Sequence, residues 1–163
     1  MKRQDRELTM SRSTRRRYVS SSVGASPKPS SAGVSQSMKA NRGSGTKPEL
    51  VLARLLRRKI VRSQLPGSPD FVYPRAKTVV FIHGCWWHRC PRENFPLPKT
   101  HTAFWGRKFA RNVERDRLNR EELESMGWKV IEIWEHEVKA DPRGCAERIR
   151  AEVRARGRDR PLD

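Results

Sequence analysis

Four consecutive apolar residues, Val79-Val80-Phe81-Ile82, constrain the fold of this chain more than any other feature. A run that is apolar at every position and too short for a helix suits a central strand covered on both faces. Such a strand needs partner strands beside it and helices above and below. The flanking sequence supplies candidates for each.

Upstream, Thr46-Lys47-Pro48-Glu49 is a capping box: Thr46 caps the helix and Glu49, three residues on, reaches back. Val51, Leu52, Leu55 and Leu56 then repeat at helical spacing to about residue 58. The short apolar piece Ile60-Val61 can pair as a strand. The turn Pro66-Gly67-Ser68-Pro69 sends the chain into Asp70-Phe71-Val72, and Pro74-Arg75 turns it again into residues 77–83. Residues 89–101 form a proline-rich loop. Thr102 caps a long helix that runs to about Met126 and is closed by Gly127 at the C′ position. Residues 128–134 alternate as a half-buried strand. Asp141-Pro142 opens a last helix, Arg143 to about Arg156, whose charged surface gives little core. Helix, strands, helix, strand, helix is the order of a small three-layer α/β domain.

The 36 Lys and Arg against 18 Asp and Glu leave a formal net charge of +18. So large an excess costs self-repulsion unless a polyanion offsets it, so phosphate is the expected partner. No stretch approaches the ~18 apolar residues of a membrane span, and the start has no apolar signal segment. Three cysteines, an odd count, fit a reduced cytoplasm better than a disulfide framework. Residues 1–35, rich in Ser, Pro and Arg, read as a disordered basic arm carrying the knot Arg15-Arg16-Arg17.

The residues able to do chemistry cluster around the central run. Asp70 leaves a turn at the start of a strand, and His83-Gly84-Cys85-Trp86-Trp87-His88 closes the next one. Strands of one sheet can bring Asp70 and His88 to a common edge. A carboxylate holding a divalent cation, beside an imidazole that transfers protons near pH 7, suffices for metal-assisted phosphodiester hydrolysis. Trp86 and Trp87 alternate sides, so at least one ring leaves the core and is free to stack on bases.

On the long helix, Trp105, Phe109, Val113, Asp116 and Leu123 share one stripe. A carboxylate on an apolar stripe needs an Arg partner or a metal, and Cys90 and His136 are unassigned residues of ligand type that would suit zinc. Arg107, Lys108, Arg111 and Arg115 crowd the first half of the same helix, against its dipole, and a phosphate backbone alongside would offset that cost.

Taken together, Pro69-Asp70, Phe81-Ile82-His83-Gly84-Cys85-Trp86-Trp87-His88, Phe104-Trp105, Asn112-Val113-Glu114-Arg115-Asp116 and Trp134-Glu135 resemble the very short patch repair (Vsr) DNA mismatch endonucleases. Ser37-Met38-Lys39-Ala40-Asn41 and Thr46-Lys47-Pro48-Glu49 match that family's start. The resemblance spans about residues 36–138 in order. It implies a restriction-endonuclease-like domain over residues 36–140, a central mixed sheet flanked by helices, followed by a C-terminal basic helix and tail over 141–163. It further implies a Mg2+-dependent nick on the 5′ side of the mispaired T in a T:G mismatch, the product of 5-methylcytosine deamination. The enzyme would act as a cytoplasmic, nucleoid-associated monomer on double-stranded DNA, alongside mismatch-repair proteins.

Carried over by motif, Asp70 would hold Mg2+ and His88 would be the general acid/base, with Glu49 and His83 assisting. Trp86, Trp87 and Trp105 match residues that insert or stack beside the mismatch, and Met38 matches one on the opposite groove side. Arg107, Arg111 and Arg115 would face DNA. Cys90, Asp116 and His136 match the structural zinc region, with Glu93 the nearest candidate for a fourth ligand. The segment between the first helix and Leu65-Pro66-Gly67 is several residues shorter than the family's usual length, which predicts a truncated strand there. A non-catalytic DNA-binding relic of the same fold is the competing reading, and a basic structural or RNA-binding protein is a third.

Overall fold

The computed structural model describes residues 44–60 and 63–158. The expected basic arm, Met38 and the Val61 half of the apolar pair lie outside the described residues. Helix α1 (Lys47–Leu56) leads to strand β1 (Phe71–Tyr73), a short 3-10 turn and strand β2 (Thr78–His83). Helix α2 (Thr102–Ser125), strand β3 (Lys129–Trp134), helix α3 (Glu135–Ala140) and helix α4 (Pro142–Arg158) follow.

The apolar run is the middle strand, as its composition demands. The sheet order is β1-β2-β3, antiparallel between β1 and β2 and parallel between β2 and β3. The mixed sheet and its helices make an α/β domain. Among the described residues no strand lies between α1 and β1.

The period of two along each strand divides the sheet into two faces. Val80, Ile131 and Ile133 point toward α1, α3 and α4, where Leu52, Val138, Ala146 and Ile149 complete the main core. Their strand neighbours Phe81, His83, Glu132 and Trp134 point to the opposite face, and the register sets Phe81 beside Glu132 and His83 beside Trp134. That second face is where a polar site can be built without disturbing the core.

Three local expectations need correction. Helix α4 contributes Cys145, Ala146 and Ile149 to the core, all buried, so its apolar stripe matters although its surface is charged. Thr102 is the first residue of α2 rather than its cap. Its hydroxyl donates back to the carbonyl of Pro98 at 2.9 Å, and His101 takes the cap position with a left-handed backbone, φ 55°. The six-residue helix α3 occupies the stretch between the alternating strand and Asp141-Pro142, to which no element was assigned. Its Glu137 carboxylate accepts the N–H of Trp134 at 2.7 Å and turns strand into helix.

Two glycines are required by geometry. Gly127 adopts φ +78° and ends α2, with the N–H of Trp128 donating to Leu123 at 2.9 Å. Gly67 adopts φ +74° in the turn before Asp70, and a Cβ there would meet the Asn119 amide at 2.8 Å and the Phe81 ring at 3.0 Å. The turn that delivers Asp70 therefore lies directly against α2 and β2. Among the described residues no helix is long and apolar enough to cross a membrane.

Candidate active site

Asp70 precedes β1 by one residue, and its N–H donates to Val80 at 2.9 Å, extending the ladder past the strand. Phe71 faces the core, so alternation turns Asp70 to the other face, toward Phe81 and His83. Its Oδ2 accepts the N–H of Ile82 at 2.7 Å, which fixes the carboxylate against β2. Burial, reinforced by the neighbouring charge of Glu49, pushes Asp70 up to about 7 against the pull of the Ile82 hydrogen bond. A buried acid beside a second acid is costly to ionise alone, and a bound cation would relieve that cost.

Glu49 is buried at the start of α1 and does two jobs. Its Oε2 accepts the N–H of Gly45 and its Oε1 accepts the Thr46 hydroxyl, both at 2.7 Å. The expected capping box does not close: Thr46 holds the cap position with no side-chain hydrogen bond to the helix backbone, and Glu49 reaches one residue further back, to Gly45. The same side chain lines the cavity that holds Asp70.

His83, His88 and Asp116 form a second group, with one donor atom of each lying within 4.8 Å of the others. His88 Nδ1 lies 2.5 Å from Asp116 Oδ2, and Arg115 Nε lies 3.6 Å from the other oxygen of Asp116. A ring bound through Nδ1 keeps Nε2 for proton transfer. The His83 and His88 rings are 4.4 Å apart, tilted by 40°. His83 Nε2 in turn lies 3.2 Å from Glu132 Oε1, and Arg120 pairs with the other oxygen of Glu132. Burial would raise the Glu132 carboxyl, but the hydrogen bonds from His83 and Arg120 more than offset it and hold the group down at about 2. Asp70, Glu49, both histidines, Asp116 and Glu132 line one cavity of about 1110 Å³.

The expected zinc set is divided. Cys90 and His136 lie with Cys85, not with Asp116. The Cys85 and Cys90 sulfurs are 3.2 and 3.5 Å from His136 Nδ1. After His83 the chain leaves the strand through Gly84, so Cys85 and Cys90 turn toward the start of α3 while His88 turns toward α2. Asp116, on α2, can reach only the histidine side. Burial pushes the Cys85 thiol up to about 11. Two thiols and an imidazole converging this tightly are the sulfur and nitrogen donors that fit zinc. Glu93 is not part of this close group among the described residues. The Cys85-x4-Cys90 spacing was the signal for the missed ligand.

Trp86 and Trp87 also line the cavity. Trp86 packs edge-on to Trp87 at 4.6 Å and to Phe109 at 4.7 Å, and Trp105 stacks over Phe109 at 5.7 Å. All three tryptophans are half-buried, so both Trp86 and Trp87 leave the core, and the three rings form one connected aromatic patch. Lys108 Nζ stands 5.1 Å from the Trp105 ring and 5.5 Å from that of Trp87. Arg115 lines the cavity, Arg111 is half-buried and Arg107 is exposed on the first half of α2. Asn112, part of a matching motif, has a task of its own: its amide donates to the Trp87 carbonyl at 3.1 Å and fixes that loop to α2.

The fold and this constellation define an α/β protein with an acidic and imidazole-lined cavity beside an aromatic patch. The family model described as DNA mismatch endonuclease Vsr matches residues 29–93. The chain is 41% identical over 128 residues to the type II nicking enzyme V.NaeI of Lentzea aerocolonigenes, covering 72% of this chain and 76% of that protein. It is 42% identical over 116 residues to the type II nicking enzyme V.NmeAIP of Neisseria meningitidis, covering 67% and 81%. Against the DNA mismatch endonuclease Vsr of Escherichia coli (strain K12) it is 43% identical over 77 residues, 47% of this chain and 49% of that protein. The protein belongs to the Vsr DNA mismatch endonuclease family.

Proposed function

We propose that the protein nicks one strand of duplex DNA on the 5′ side of the mispaired T in a T:G mismatch, with Mg2+, on a restriction-endonuclease-like framework in the cytoplasm. The observation that carries this reading is the convergence of Asp70, Glu49 and the His88–Asp116 pair in one cavity, with Trp86 and Trp87 on its rim. The named activities of the relatives, mismatch endonuclease and nicking enzyme, support the same reaction class.

Asp70 would hold Mg2+, with Glu49 close by, and its raised affinity for a proton marks a site where a cation is welcome. Bound there, Mg2+ would supply charge neutralisation at the phosphate and a more acidic water. The rest is done by side chains of the chain itself. Asp116 fixes the His88 ring through Nδ1, leaving Nε2 to take or give the proton as the phosphodiester bond is cut. Trp86 and Trp87 offer faces to a weakly paired base step, where opening the stack costs least. Arg107, Arg111 and Arg115 lie on the helix that borders the site and add attraction for the backbone. Cys85, Cys90 and His136 would hold a structural zinc that ties the turn after β2 to α3.

A labelled duplex with a single T:G mismatch tests this directly against a T:A duplex of the same sequence. One nick 5′ to the T, only with Mg2+ and only in the mismatched duplex, is expected. Binding without any nick would favour the non-catalytic relic.

A further inference from the structure

Glu132 is a residue that the sheet does not need. On the cavity face of β3 its neighbours in alternation are Val130 and Trp134, and an ionised side chain half-buried there costs free energy unless it is paired. It is paired twice. Oε1 faces His83 Nε2 at 3.2 Å, and Oε2 pairs with Arg120 of α2. His83 is only 6% exposed, and its other ring neighbours are Phe81, stacked at 5.9 Å, Trp134 at 5.2 Å and His88 at 4.4 Å. The ring of His83 therefore fills the space beside His88, and Glu132 is its hydrogen-bonding anchor.

We propose that Glu132, braced by Arg120, is a positioning residue: it holds His83 in one orientation and one tautomer, and His83 in turn packs the His88 ring into the pose that Asp116 receives. The proposal rests on the reading of His88 as the proton-transfer group. Two imidazole–carboxylate pairs, His83–Glu132 and His88–Asp116, then stand side by side, the first bracing and the second reacting. An ionised carboxylate accepts only, so it selects the Nε2–H form of His83. A glutamine amide presents both a donor and an acceptor and loses that selection. The plain alternative is an exposed Arg–Glu pair that merely ties α2 to β3. The Arg120 side chain is 45% exposed, and such pairs contribute little.

The test compares wild type, Glu132→Gln and Glu132→Asp by single-turnover nicking of a saturating T:G duplex with Mg2+. Duplex Kd, Tm and the nitrogen NMR signals of His83 in the metal-free protein are measured alongside. Expected is a slowing of about tenfold or more for Glu132→Gln, the scale typical for loss of a supporting partner. Kd should stay within about twofold, the Tm near wild type, and the single His83 tautomer should become a mixture, with Glu132→Asp recovering most of the rate. Nicking by Glu132→Gln within about twofold of wild type would overturn the proposal. So would an unchanged His83 tautomer, or a loss that appears as weaker duplex binding. If wild type itself does not nick, the proposed activity falls, and the His83 signals alone decide on Glu132: a mixed tautomer in the Gln variant upholds the bracing role, and an unchanged one overturns it.

Discussion

Two pairs of side chains interleave along one stretch of chain and part company in space. His83 and His88 are five residues apart, as are Cys85 and Cys90, offset by two. The first pair meets Asp116 of α2, and the second meets His136 of α3. Their environments differ as much as their chemistry. The histidine group opens onto the cavity and each ring is held by a carboxylate, at 2.5 Å for His88 and 3.2 Å for His83. The cysteines are 3% and 4% exposed, with sulfurs directed at one ring nitrogen. Imidazoles paired with carboxylates beside a cavity suit proton transfer, whereas enclosed thiols beside an imidazole suit a metal that holds shape. Sequence proximity therefore conceals two sites that a strand end and a turn pull apart.

The strongest way to break the comparison is to remove a group from the reacting side alone. Asp70→Ala should lower nicking by ~10³-fold or more while leaving mismatched-duplex affinity within a few-fold, since cation binding and base recognition use different residues. His88→Ala should cost ~10²–10⁴-fold. Because His88 and Asp116 act as one unit, the double variant should be little worse than the worse single one, read by single-turnover rates. Near-wild-type nicking by Asp70→Ala would remove it from the site.

The next test crosses the boundary between the two groups. Cys85→Ala and Cys90→Ala should release one zinc per chain by elemental analysis and lower the Tm by ~10 °C or more, because structural metal binding is coupled to folding. Asp116→Ala should keep its zinc and lose nicking. If Asp116→Ala loses the metal instead, the division of ligands drawn from the geometry is wrong.

A smaller effect is expected at the aromatic patch. Trp86→Ala and Trp87→Ala should lower the preference for T:G over paired duplex by about tenfold, in keeping with ~1–3 kcal/mol per stacked base. Trp105→Ala should cost stability as well, since Trp105 stacks on the buried Phe109. Unchanged discrimination in both Trp86→Ala and Trp87→Ala would leave these rings as packing.

Most of the framework was legible because it rests on local signals. The all-apolar run had to be the central strand, Gly127 had to end α2, and Asp70 and His88 lay at ends of strands that one sheet could join. What was not legible depended on direction. Asp116 on a stripe with Phe109 and Leu123 read as a buried carboxylate in need of an Arg partner or a metal. The helix rotates it a little toward solvent, where His88 meets it and Val113 is 44% exposed. Cys85 was passed over in favour of Cys90 because it sits inside the strand-end motif, and only the turn at Gly84 shows which way it faces. Glu132 looked like the polar half of an alternating strand. Nothing in the alternation says that its polar face is a cavity rather than water.

The smallest effect concerns the stability that Asp70 gives up to the site. Burial and the charge of Glu49 raise its pKa from 3.8 to about 7 in the folded, metal-free protein, while the unfolded chain keeps the ordinary value. Between those two values the folded state holds a proton that the unfolded state has released. Stability from this group is therefore fully present below the unfolded pKa and is lost as pH rises toward 7. Asp70→Asn removes the titration, so its Tm in the presence of a chelator should exceed that of wild type at pH 8, with the gap closing toward pH 5. Each pKa unit corresponds to ~1.4 kcal/mol, but Asp70 is only partly buried, on the wall of a cavity, so solvent screening leaves a net gain of about 1 kcal/mol, or ~5 °C. Mg2+ should narrow the gap at pH 8 by binding only the ionised carboxylate of the wild type. A Tm gap that is flat from pH 5 to 8 would mean that Asp70 is solvated like a surface acid, and one that Mg2+ leaves unchanged would mean that Asp70 does not hold the cation.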